Sequence, residues 1–117
     1  MERSRDRHLL LDALVREGLL APERLGQFLP ESGEPVYSTE LGCAILTYLA
    51  RSRARLMLVQ IEDGVGESEQ ANLPGTTESH PNWRRRMSRV LEEIVNGADL
   101  QQVAAVTREG RLHAAAE

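Results

Sequence analysis

The chain is 117 residues long, with 41% hydrophobic and 27% charged residues, and it carries 14 basic against 18 acidic side chains. This length and composition are typical of one globular domain with a single hydrophobic core. The net charge of -4 argues against a general nucleic-acid or membrane-surface binder, because phosphate groups recruit an excess of Lys and Arg. Cys43 is the one cysteine, which excludes an internal disulfide and a multi-cysteine zinc site.

The sequence shows no targeting or membrane-spanning segment. No stretch approaches the roughly 20 apolar residues of a membrane span, and the charged first residues lead into no apolar signal-peptide core. We therefore expect a cytoplasmic protein. Only 3% of the residues are aromatic, whereas carbohydrate clefts and base-stacking surfaces usually use several aromatic rings. We therefore do not expect the chain to hold a complete site of either kind.

The first half of the chain predicts three helices. Residues 3–17 have apolar positions at helical spacing, and Gly18 follows where a left-handed C-cap residue belongs. A short second helix starts at Pro22, and residues 30–35 have the composition of a loop. The third helix has Ser38 as its N-cap. Its apolar positions recur at i, i+3, i+4, i+7 and i+8, at Leu41, Ala44, Ile45, Tyr48 and Leu49.

A short apolar run at residues 56–61 predicts a strand of a parallel sheet that is covered on both faces. Glu62 and Asp63 follow it, and neighbours on a strand point to opposite faces, so we assign them structural roles and not a catalytic pair. No second strand of this quality is present in the sequence. We therefore expect the isolated chain to self-associate, by strand pairing or through an apolar surface around Leu56, Leu58 and Ile61.

The second half predicts a long loop followed by two helices. Residues 65–81 are loop-like, and a loop of that length is usually functional or disordered. Apolar positions from Met87 to Val95 indicate a helix. Asp99 can cap a last helix that Gly110 would end, with a tail after it.

Few side chains form a pattern that points to chemistry. His8, His80 and His113 are scattered, so we interpret them as surface residues and predict no metal site, catalytic group or cofactor. The basic run at residues 84–86 suits an ion-paired surface. In the turn at residues 72–76, Pro74 fixes φ and Gly75 permits a positive φ. From the residues alone, Asn72 either caps this turn or contacts a ligand.

Three blocks in order, residues 59–63, 72–76 and 81–85, resemble the C-terminal end of bacterial 4-α-glucanotransferases. These enzymes are the amylomaltases or disproportionating enzymes of glycoside hydrolase family 77. The Asn-x-Pro-Gly turn followed by Asn-Trp-Arg is the distinctive part, and the resemblance extends over residues 5–112.

The resemblance implies a (β/α)8 barrel and a retaining transfer of α-1,4-glucan, with three carboxylates that precede this segment. The expected fold is mainly α with one parallel-type strand, as the C-terminal portion of a barrel and not a complete one. The expected divisions are residues 1–55, helical; 56–85, last barrel strand and substrate-side loop; 86–112, closing helices; and 113–117, tail. Asn72 corresponds to a substrate-binding asparagine, and Pro74, Gly75, Trp83 and Arg84 to residues that shape its loop.

Two functions are compatible with these observations. The first is the C-terminal segment of a cytoplasmic 4-α-glucanotransferase, inactive alone, whose partner in the intact enzyme is a maltodextrin or another α-1,4-glucan. It implies no cofactor, nucleic acid or membrane. The alternative is a small helical protein-interaction module without enzymatic activity, which would use its helix faces or residues 83–86.

Overall fold

The computed structural model describes residues 2–29 and 36–116, which form two compact units. The helical unit comprises residues up to 57 together with those from 105 onward, and the loop unit comprises residues 58–104. The described helices are α1 (Glu2–Arg16), α2 (Leu25–Phe28), α3 (Thr39–Ala50), α4 (Ile61–Val65), α5 (Leu91–Asn96) and α6 (Ala98–Ala116), with a 3-10 turn (Pro22–Arg24) before α2. The predicted loop at residues 30–35 lies outside the described residues.

The helical unit has a small leucine-rich core in which α1 packs against α3. Its buried centre consists of Leu11, Leu14, Leu20, Phe28 and Ala44. The chain reverses after α1 at Gly18, whose φ of 67° confirms the predicted left-handed cap. There the Leu19 amide donates to the Leu14 carbonyl at 2.9 Å, which satisfies a carbonyl at the helix end.

The start of α3 is as the sequence predicts. Ser38 Oγ accepts a hydrogen bond from the Leu41 amide at 3.2 Å, the bond expected of a serine N-cap. Glu40 lies in the first turn, where its carboxylate suits the positive helix end, and it pairs with Arg24.

The predicted parallel strand is not formed. Residues 2–29 and 36–116 contain no β-strand, and residues 56–60 have no regular secondary structure. Leu56 is 74% exposed and Leu58 is 85% exposed. A strand is stable only beside another strand that accepts and donates its backbone hydrogen bonds, and the described residues provide none. The apolar pattern therefore indicates a segment suited to a sheet, and residues 2–29 and 36–116 do not form that sheet.

We expect the isolated chain to self-associate through this segment as its concentration rises. Two exposed leucines in an unpaired segment provide apolar surface and free backbone groups for pairing. Light scattering over a concentration series measures the mass, and Leu58→Lys should shift it toward the monomer. Leu112→Lys is the matched control, since Leu112 is 66% exposed but lies on α6. A wild-type chain that stays monomeric throughout the series would contradict this expectation.

The last helix does not end at Gly110, as the sequence suggested, but continues to Ala116, so residues 113–116 are helical and not a free tail. The physical reason is a close approach inside the helical unit. A methyl group on Gly110 would lie 2.6 Å from the Ala50 Cβ atom and 3.2 Å from the Thr47 carbonyl oxygen. Glycine is thus a spacer that lets α6 approach α3 and not a helix terminator.

The loop unit is a long irregular segment held between short helices. Val65 and Ile94 are its buried apolar side chains, and Gly64 lies close to Val103 of α6. The predicted loop at residues 65–81 is confirmed in its main part, but Val65 belongs to α4. The loop also extends to residue 90, because α5 begins at Leu91 instead of near Met87. The division into residues 1–55, 56–85 and 86–112 refers to a complete barrel and stays a prediction. None of the described helices combines the length and apolarity needed to span a bilayer.

Candidate functional site

The candidate site is the loop of residues 67–90, and a tight turn at residues 73–76 lies at its centre. The Thr76 amide donates to the Leu73 carbonyl at 3.2 Å, and the Thr76 hydroxyl donates to the same oxygen at 2.6 Å. Gly75 has a φ of 83°, which confirms its predicted positive φ. Proline followed by glycine at positive φ is the sequence of a type II turn, so the turn has one defined shape.

Asn82 braces this turn from across the loop. Its Oδ1 accepts from the Leu73 amide at 2.8 Å, while its Nδ2 donates to the Thr76 carbonyl at 2.9 Å and to the Thr76 hydroxyl at 3.0 Å. One side-chain amide thereby satisfies backbone groups on both arms of the turn. Sequence reasoning did not select Asn82, because its partners lie six to nine residues away and no local spacing reveals such bonds.

The backbone of Trp83 is hydrogen-bonded within the loop. Its amide donates to the Ala71 carbonyl at 2.8 Å, and the next amide, that of Arg84, donates to the Pro81 carbonyl at 3.1 Å. Trp83 is the one described non-glycine residue with a positive φ, at 59°. A left-handed conformation of a bulky residue costs about 1–3 kcal/mol and persists where surrounding contacts impose it. The indole itself is 78% exposed, so its packing contributes little to holding the loop.

Asn72 lies between the Ala71 carbonyl that Trp83 binds and the braced turn. Its side chain is half-buried and forms no hydrogen bond with the described residues. The alternative in which Asn72 caps its own turn is therefore not what the structure contains, since Thr76 and Asn82 satisfy the turn. The Asn72 amide has two donors and an acceptor that remain available to a ligand.

Ion pairs and charged hydrogen bonds fasten the ends of the loop. Arg85 pairs with Glu69 at 2.6 Å, which confirms that part of the basic run is ion-paired. The Ser88 amide and hydroxyl both donate to Glu67, and these bonds hold the pKa of that carboxyl below its usual range. The Arg84 side chain is exposed and has no ion pair within the described part of the chain.

The remaining candidate groups are not brought together. Glu62 and Asp63 lie on α4 and not at the end of a strand, which corrects their predicted placement. No three His, Cys, Asp or Glu residues among those described could hold a metal ion. A small cleft lies beside Glu67 and Arg85. Within the described residues, the loop therefore presents a hydrogen-bonded turn beside a partly ion-paired charged surface.

Comparison with known proteins agrees with the three sequence blocks. The family model described as 4-alpha-glucanotransferase matches residues 1–92. The chain belongs to this family. Its relatives include a 4-alpha-glucanotransferase of Mycobacterium tuberculosis, 39% identical over 79 residues, and one of Haemophilus influenzae, 30% identical over 110 residues. No solved structure matches the chain.

The aligned region is most of this chain but a small part of each relative. It includes 68% of this chain and 10% of the mycobacterial 4-alpha-glucanotransferase, and 94% of this chain and 15% of the Haemophilus protein. The chain thus spans a small part of the length of the curated relatives it matches. The family match ends at residue 92 and so includes the braced turn, Asn82 and Trp83.

Proposed function

We propose that this chain is the C-terminal region of a 4-α-glucanotransferase that transfers α-1,4-glucan segments between maltodextrins by retaining transglycosylation. The catalytic carboxylates lie upstream of it, and the chain contributes a substrate-side loop. In this assignment residues 56–61 pair as the last strand of a parallel barrel, and the loop follows the C-terminal end of that strand, where barrel enzymes place their sites. Leu56 and Leu58 are exposed and lie in no strand, which is what this assignment expects when the other barrel strands are absent.

The observation that carries the proposal is the free Asn72 amide beside a rigid turn. Neighbouring hydroxyls of a glucose ring each donate and accept, which matches the amide's donors and acceptor. Because Pro74, Gly75 and Asn82 already fix the backbone, little conformational entropy is lost when a glucan binds. The role of the loop is to orient the sugar, and the bond-breaking chemistry belongs to the upstream carboxylates.

The test is a comparison of the 117-residue chain with the full-length protein that carries it. We expect the isolated chain to produce neither glucose nor longer oligomers from maltotriose, because positioning without the carboxylate nucleophile and acid does not cleave the glycosidic bond. The full-length protein should produce both. Product analysis by chromatography measures this, with a repurified sample to exclude contaminating enzyme. Turnover by the chain alone, or none by the full-length protein, would contradict the proposal.

A further inference from the structure

We propose that the indole of Trp83 is a platform on which a glucose ring of the bound glucan stacks, next to the Asn72 amide. This inference rests on the proposed function and deepens it, since it adds an apolar contact to the polar one. The substrate class is a chain of α-1,4-linked glucose, whose pyranose rings present C–H faces as well as hydroxyl edges.

The first observation is that Trp83 is both exposed and conformationally constrained. Its side chain is 78% exposed, although tryptophan is normally largely buried. Its φ of 59° places it in the left-handed region, which bulky residues rarely adopt. Because the indole is exposed, it adds little to the hydrophobic stabilisation of the loop unit, so core packing does not explain the strained backbone. Backbone strain of this kind clusters at active sites, ligand clamps and switch regions, where the surrounding structure imposes it.

The second observation is the place of Trp83 in the loop. Its amide binds the Ala71 carbonyl at 2.8 Å, so its backbone lies beside the residue that precedes Asn72. The residue before it, Asn82, holds the turn that follows Asn72. The same backbone network therefore positions both Trp83 and Asn72, one on each of two adjacent stretches of the loop.

The two side chains supply complementary contacts. An indole has a broad face that attracts the C–H groups of a pyranose ring and excludes water from them. The Asn72 amide can bond the ring hydroxyls, which lie at the edge of the same sugar. A single glucose unit is thereby recognised by one face and one edge.

The exposed indole could instead pack against other parts of a longer protein. Quenching of its fluorescence by a solute distinguishes binding of a glucan from such packing. Trp83 is the single tryptophan of the chain, so its fluorescence reports on this position alone. We expect acrylamide to quench it in the isolated chain, and maltoheptaose to protect it saturably while cellobiose does not. An indole that acrylamide does not reach, or that maltoheptaose leaves unprotected at the highest soluble concentration, overturns the inference.

The second measurement uses the full-length glucanotransferase. Trp83→Ala should raise KM for maltotriose about tenfold and leave the melting temperature unchanged, and Trp83→Phe should restore most of the affinity because it keeps an aromatic face. A melting temperature that falls with KM unchanged would show that the indole is structural and overturn the inference. An enzyme with normal transfer activity but no response to Trp83→Ala overturns the inference alone, whereas a full-length protein without any transfer activity overturns the proposed function.

Discussion

Replacing Asn82 with alanine should release the turn that carries Asn72. The substitution removes three hydrogen bonds to Leu73 and Thr76 and leaves two backbone groups of the turn without their partner. At roughly 1 kcal/mol for each bond, the free energy of local opening should fall by about 2–3 kcal/mol. Hydrogen exchange of the Leu73 amide in the isolated chain measures this, and we expect it to become about 30–150 times faster.

Two further variants give this prediction its controls. Asn82→Asp keeps the acceptor for the Leu73 amide but loses both donors, so its exchange rate should lie between those of the wild type and Asn82→Ala. Asn96→Ala removes a single side-chain bond to the Glu92 carbonyl on α5 and should leave the Leu73 amide unaffected. Equal exchange at Leu73 in the wild type and in Asn82→Ala would mean that the Pro-Gly turn holds its shape unaided.

Replacing Asn72 with alanine should weaken transfer in the full-length glucanotransferase without weakening its fold. The Asn72 side chain has no hydrogen bond in the described residues, so its truncation costs the loop little. The lost contacts to substrate hydroxyls should lower kcat/KM by the equivalent of about 1–3 kcal/mol. Initial rates of glucose release from maltotriose measure the effect, and thermal melting measures the fold.

Comparing Asn72→Ala with Asn82→Ala distinguishes a residue that binds substrate from one that stabilises the loop. Asn82→Ala should lower kcat/KM and also accelerate exchange in the loop, whereas Asn72→Ala should lower kcat/KM alone. Asn96→Ala is again the matched control, because it lies on α5 and outside the loop. Normal kinetics with a melting temperature several degrees lower in Asn72→Ala would make Asn72 a turn residue and contradict its binding role.

Local signals in the sequence determined the helices and turns that depend on neighbouring residues. Gly18 ends α1 and Ser38 begins α3 because a positive φ and an N-cap bond involve only residues within the same turn. The Pro74-Gly75 turn is predictable for the same reason. The family was also readable from the sequence, since three short blocks in order were sufficient and residues 1–92 match the family model.

Tertiary structure decided the features that depend on residues far apart in the chain. Residues 56–61 have the composition of a buried strand, yet no strand forms because its partners are not among the described residues. Gly110 resembles a helix terminator, but close approach to Ala50 makes it a spacer within α6. The hydrogen bonds of Asn82 to Leu73 and Thr76 join residues nine and six positions apart, so they depend on the path of the whole loop. Sequence patterns therefore specified local geometry, whereas pairing and packing required the positions of distant residues.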